Sequence, residues 1–172
     1  MKNLFVSLIL LITTAFAGAQ EINQKVWDDD LGKKVLVGTC DREELTRGEF
    51  GEFYEEEFGA YQPSKEVVDQ IREIINKGAE VRVIVIFGEW CGDSRREVPR
   101  FFKLADETGL SENDITIYAV NRKKKGVKID LSKYDVQYVP TFIIYENGKE
   151  KGRIVEAPDN TLEEDFLDIL KY

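Results

Sequence analysis

The apolar positions of the chain change period several times, and each change marks an element. Val67, Val68, Ile71, Ile74 and Ile75 recur at helical spacing, with Ser64 placed to cap the start and Gly78 to end the helix. The unbroken β-branched run Val81–Phe87 then predicts a strand buried on both faces. A helical pattern follows toward Gly109, with Pro99 inside it, where a missing N–H and a bulky ring should kink the helix. Asp114–Val120 reads as a second buried strand, and residues 128–137 as a loop with a short helix. Thr141–Glu156 alternates about Asn147-Gly148, the pattern of a hairpin. Thr161 with Glu164 three residues on opens a last helix that buries Leu162, Phe166, Ile169 and Leu170.

Upstream the pattern is mixed. Lys33–Gly38 predicts a short strand. Thr39 or Asp41 is placed to cap a helix, with Glu44 three residues after Asp41. Phe50, Tyr54, Phe58 and Tyr61 form an aromatic stripe at helical spacing, interrupted by Gly51 and Gly59. The stripe either packs on the main domain or forms a lid or substrate groove. Together the elements give an α/β layered architecture with a mixed sheet, one domain of residues 64–172 preceded by a strand-helix extension, residues 20–63.

The first residues belong to neither part. Lys2, the apolar run Leu4–Phe16 and small residues to Ala19 have the layout of a secretory signal peptide, residues 1–19, with cleavage after Ala17 or, preferably, Ala19. The apolar run is short for a membrane span, so no stable membrane insertion is expected after cleavage. The expected location is therefore secreted or periplasmic, an oxidising setting in which disulfides persist.

Composition narrows the chemistry. The net charge of −9, one unit more negative without Lys2, excludes nucleic acid as an expected partner. The local exception is the basic run Asn121–Lys128, which carries no interleaved aromatic residue and reads as a solvated loop. There is no histidine, which removes His-based triads and the commonest metal ligand. The expectation is no metal and no cofactor. Two cysteines, Cys40 and Cys91, suffice for one bridge or one reactive site.

Cys91 follows a buried strand and precedes a helix, where unpaired N–H groups and the helix dipole favour a thiolate. Arg95 and Arg96 add positive charge nearby, while Glu89 and Asp93 oppose it. Gly92 leaves a thin approach, and Trp90 offers a flat apolar wall beside the sulfur. The polar neighbours Glu89, Asp93, Ser94 and Arg95 argue for a reactive thiol rather than an inert core cysteine.

Trp90-Cys91-Gly92-Asp93-Ser94 after the strand, Pro99 five residues after Ser94, Asn121 past the next strand, and Tyr138-Val139-Pro140-Thr141 before the hairpin occur in that order. In these features residues 64–172 resemble the thioredoxin superfamily. The resemblance implies a thioredoxin-like mixed β-sheet flanked by helices. It also implies that Cys91 is the nucleophile, that Pro140 is a cis-proline facing it, and that Val139 and Thr141 lend backbone groups to a bound substrate strand. Three departures matter. Asp93 stands where the family has a proline, which frees the turn and places a carboxylate near the sulfur. Ser94 stands where the family has its resolving cysteine; its hydroxyl can donate to the thiolate but cannot attack a mixed disulfide. Val85 stands where the family keeps a buried aspartate that assists proton transfer.

The resulting reading is a monothiol oxidoreductase or isomerase-like protein. Its catalytic residues are Cys91, Ser94 and Cys40, and its substrate groove is formed by Trp90, Gly92, Val139, Pro140 and Thr141. Its partners are protein or small-molecule thiols and disulfides. Three readings of Cys40 stay open: a redox partner of Cys91, a buried free thiol, or an intermolecular link. The alternative function is a thioredoxin-fold binding or scaffold module that has lost turnover.

Overall fold

The computed structural model describes residues 21–126 and 129–172. The signal-peptide expectation falls outside them. The strands are β1 (Gln24–Asp28), β2 (Lys33–Cys40), β3 (Val81–Phe87), β4 (Ile115–Ala119), β5 (Thr141–Glu146) and β6 (Lys149–Val155). The helices are α1 (Arg42–Leu45), α2 (Gly48–Ala60), α3 (Lys65–Asn76), α4 (Gly92–Thr108) and α5 (Leu162–Lys171). The six strands form one mixed sheet in the order β1-β2-β4-β3-β5-β6. β3 and β4 run parallel, as a strand–helix–strand crossover through α4 requires, and the other neighbours pair antiparallel. This is the thioredoxin-like fold, a mixed sheet flanked by helices.

Alternation along the strands assigns each side chain to a face. Val81, Val83, Val85 and Phe87 face one large core, shared with Phe142 and Ile144 of β5, Ile117 and Ala119 of β4, and Leu36 and Cys40 of β2. α2, α3, α4 and α5 all pack on this face. Phe101 of α4 sits at its centre, in ring contact with Phe102, Phe142 and Phe166. Ile84, Ile86, Tyr118, Ile143 and Tyr145 face the other way, into a smaller cluster closed by Leu131, Tyr134 and Val136 of the β4–β5 connection. Among its described residues that connection holds one 3-10 turn, Ser132–Tyr134, at the short helix expected there.

Residues 24–60 are built into the same sheet and core. β2 pairs with β4 through Gly38, Thr39 and Cys40, and β1 adds an edge strand to β2. The sequence pattern does not announce β1, because a half-exposed edge strand reading QKVWD lacks an apolar run. The aromatic stripe is core: Phe50 and Tyr54 are buried, and Phe58 and Tyr61 pack against them from the rim. The break between α1 and α2 is local. Asp41 caps α1 by accepting the Glu44 N–H, but the helix lasts one turn. Gly48, at φ +60°, restarts it as α2, and a Cβ on Gly51 would lie 2.4 Å from the Thr46 carbonyl oxygen.

Other ends follow their sequence signals. Thr161 and Glu164 form a reciprocal capping box on α5. Asn147 and Gly148 both have positive φ, the two-residue turn that matches strand twist. Ser64 stands at the start of α3 but its hydroxyl makes no capping bond. The buried Glu163 carboxylate accepts the Ser64 N–H instead, at 2.9 Å, and also accepts the Tyr61 hydroxyl. α4 runs through Pro99, which is buried. Among the described residues no helix is long and apolar enough to cross a membrane.

Candidate functional site

β3 ends at Phe87, and Gly88 begins the turn that delivers Cys91. Gly88 is held twice: its carbonyl accepts the Cys91 N–H at 2.9 Å, and its N–H donates to Ser94 Oγ at 3.2 Å. A Cβ on Gly88 would fall 2.6 Å from Cε2 of Trp90, inside contact distance, so glycine is required for the indole to lie where it does. Trp90 Nε1 donates to the Val120 carbonyl at 2.9 Å, locking the ring to the end of β4. The role of Gly88 escapes sequence reasoning, whose only signal is a glycine directly after a buried strand.

Cys91 is the N-cap of the 17-residue α4, with extended backbone, and is partly exposed. Its thiol donates to the Val139 carbonyl oxygen at 3.1 Å. The Val139–Pro140 peptide is cis, as the resemblance implies. Cys91, Trp90 and Val139 pack together on the smaller apolar cluster. Gly92 is exposed, with open space where a side chain would be. One wall of the site is therefore apolar, one edge is a backbone acceptor, and the approach over Gly92 is clear.

The remaining expected site residues divide. Ser94 is fully buried, and its hydrogen-bond partner among the described residues is the Gly88 N–H, not Cys91 Sγ. This corrects the expectation that its hydroxyl serves the thiolate: it holds the turn. Thr141 is also corrected. It is buried, lies in register between Ile86 of β3 and Val155 of β6, and donates its hydroxyl to the Tyr138 carbonyl at 2.7 Å. It braces the cis turn from within the sheet, and Val139 alone presents a backbone group to the sulfur. Val85, at the family's aspartate position, is fully buried among apolar neighbours.

Cys40 is not brought to Cys91. It lies on β2, paired with Ile117, on the helix-covered face, while Cys91 sits on the opposite cluster against the start of β5. The sheet lies between the two thiols, each of which packs into a different core. Both thiols are free. Burial pushes the Cys40 thiol up to about 12, against a smaller opposing effect of a hydrogen bond from the Ala119 amide. It is a buried core thiol, and the redox-pair reading is withdrawn on geometry.

The arginines of the motif are engaged. Arg95 Nε donates to the Glu89 carbonyl at 2.8 Å, its guanidinium pairs with Glu49 at 2.7 Å, and it stacks on Phe53 at 4.5 Å. Arg96 pairs with Asp93 and Glu97. Neither charge is left unpaired for the sulfur; Arg95 instead ties the start of α4 to α2. Burial raises the Glu89 carboxyl above its ordinary range, partly offset by a hydrogen bond from the Leu36 amide.

The family model described as Thioredoxin matches residues 63–168. A thioredoxin from Echinococcus granulosus is 29% identical over 107 residues, covering 58% of this chain and 88% of that protein. A protein disulfide-isomerase from Saccharomyces cerevisiae is 27% identical over 99 residues, 55% of this chain, but the match spans only 17% of the yeast protein's length. Among solved structures, thioredoxin O2 from Arabidopsis thaliana in its oxidised state aligns with a TM-score of 0.37 at 21% identity, covering 62% of this chain and 84% of that one.

Proposed function

The chain belongs to the thioredoxin family, whose fold carries a thiol oxidoreductase-like role, and from that premise we propose that it is an exported thiol–disulfide exchange protein working through Cys91 alone. The observation that carries the reading is the placement of Cys91: partly exposed, at the N-terminus of a long helix, with Sγ 3.1 Å from the carbonyl beside a cis-proline. The helix N-terminus stabilises negative charge on the sulfur. As the thiol loses its proton, the Val139 carbonyl loses its donor and becomes free to accept an N–H from an extended substrate, a short β-pairing.

The chemistry is two exchanges. Cys91 thiolate attacks one sulfur of a substrate disulfide, the new Cys91–S bond forms, and the other sulfur leaves as thiolate. A second thiolate then attacks the substrate sulfur of the mixed disulfide and returns Cys91. With Ser94 in place of a second cysteine and Cys40 out of reach, that thiolate comes from a substrate or a small-molecule thiol. Isomerase-like or thiol-assisted exchange fits this better than dithiol reduction.

The test is mass spectrometry of the native protein after mild oxidation with glutathione disulfide. A mixed disulfide confined to Cys91, discharged by added thiol, supports the proposal; an unmodified Cys91 overturns it. One observation favours a binding module: the apolar burial of Val85, which removes the family's internal proton acceptor. Full biological activity of a Cys91→Ala variant would select that reading.

A further inference from the structure

The protein is strongly acidic, yet the loop after β4 forms a basic rim over the apolar cluster on which Cys91 packs. Arg122, Lys123, Lys124 and Lys125 are exposed, and none forms an ion pair with a carboxylate among the described residues. The loop is held in place. The Arg122 N–H donates to the buried Asp28 carboxylate at 3.1 Å, and Asn121 accepts the Lys124 and Lys125 N–H groups through its carbonyl and its side chain.

The loop lacks aromatic residues in its own sequence, but the fold supplies them. The Arg122 guanidinium lies 5.3 Å from the ring centre of Trp90, and Lys124 Nζ 5.5 Å from that of Tyr138. Trp90 precedes Cys91, and Tyr138 precedes Val139. Arg122 is thereby seated on the ring of the residue before Cys91, and Lys124 on the ring of the residue before Val139. Behind them is a cleft of about 550 Å³ bounded by Lys123, Lys124 and Lys125 and floored by Ile86, Val120 and Leu131, the apolar cluster on which Cys91 packs. Asp130 and Asp135 also line this cleft.

We infer that this rim selects the substrate: the favoured partner is an acidic peptide segment, a cysteine flanked by carboxylates, whose charged side chains rest on Arg122 and Lys124 while its sulfur meets Cys91. The inference rests on the proposed thiol exchange and adds its specificity. It runs against the net charge, which by itself favours basic partners.

The experiment uses the full-length protein and two peptides activated as mixed disulfides with 2-thiopyridine, one with glutamates around its cysteine and one with lysines. Cys91 thiolate attacks the peptide sulfur, the bond to the pyridyl sulfur breaks, and the released pyridine-2-thione is followed by absorbance. At low ionic strength the glutamate peptide is expected to react about tenfold faster. The preference should collapse near 0.5 M salt, roughly where screening is short-ranged, and invert in the Arg122→Glu, Lys124→Glu double variant. Equal rates, a faster lysine peptide, or a preference unchanged by salt and by the double variant would overturn the inference and leave the exchange reaction standing. Absence of release from either peptide, or equal release by Cys91→Ala, would overturn the exchange reading and this one with it.

Discussion

The separation of the two thiols can be tested by removing one. In a Cys91→Ala variant the remaining thiol is Cys40, 6% exposed and held neutral by burial up to about 12. At pH 8 its thiolate is then about one part in 10⁴, against roughly a quarter for an unperturbed cysteine near 8.5. Native Cys40 should therefore label at least about a thousandfold more slowly than a free thiol, and more slowly still because the reagent must reach a core position. The assay is thiol titration with an aromatic disulfide reagent in buffer and in guanidinium. The native variant should show no thiol on the timescale that modifies Cys91 in Cys40→Ala, and one thiol when unfolded. Rapid native labelling of Cys40, or a Cys40–Cys91 bridge in the unmutated protein after mild oxidation, would refute the placement. Linkage adds a second check. The folded value lies above the unfolded one, so the stability contributed by neutral Cys40 is full below 9.0 and is lost as pH rises toward about 12. The interval from 9.0 to about 12 corresponds to about 4 kcal/mol at its alkaline limit. Denaturant midpoints should thus fall more steeply from pH 9 to 11 in the unmutated protein than in Cys40→Ala.

Other expectations follow from the same contacts. Gly88→Ala should displace Trp90 and break its bond to Val120, costing about 1–3 kcal/mol of stability and slowing exchange at Cys91; tryptophan fluorescence and thione release read both. Ser94→Ala strands the buried Gly88 N–H, an expected loss of about 1–3 kcal/mol seen as a lower urea midpoint with an unchanged slope. Burial raises the Glu163 carboxyl, but hydrogen bonds from Tyr61 and the Ser64 amide outweigh it and hold the group below its ordinary value. Its contribution is therefore present above the unfolded carboxylate range and lost as pH falls through the folded value. The melting difference between the unmutated protein and Glu163→Gln should narrow between pH 6 and pH 3.

Much of the frame was legible in the residues. Continuous β-branched runs announce strands covered on both faces, and the capping signals around Asp41 and Thr161 mark true helix starts. The partly exposed cysteine at the head of α4 and the cis-proline were legible because each is a local event: a cysteine between strand and helix, a proline before a strand. Ser94 and Thr141 were legible as positions and misread as roles, since a hydroxyl in a short motif points wherever a buried N–H or carbonyl needs it. Here those needs belong to Gly88 and Tyr138.

The sequence by itself determined the elements, the order of the motifs and the lone thiol at the head of a helix, all properties of a few adjacent residues. Which residues meet was decided by the sheet. The period of two along β2 sends Cys40 to the helix-covered face, while the turn after β3 sets Cys91 on the cluster of the other face, so the two thiols occupy different cores. The β3–β4 pairing also brings Arg122 onto Trp90, remote from it in sequence, and the β4–β5 connection folds back to set Lys124 on Tyr138. Contacts across a sheet depend on register and order, which no local pattern encodes.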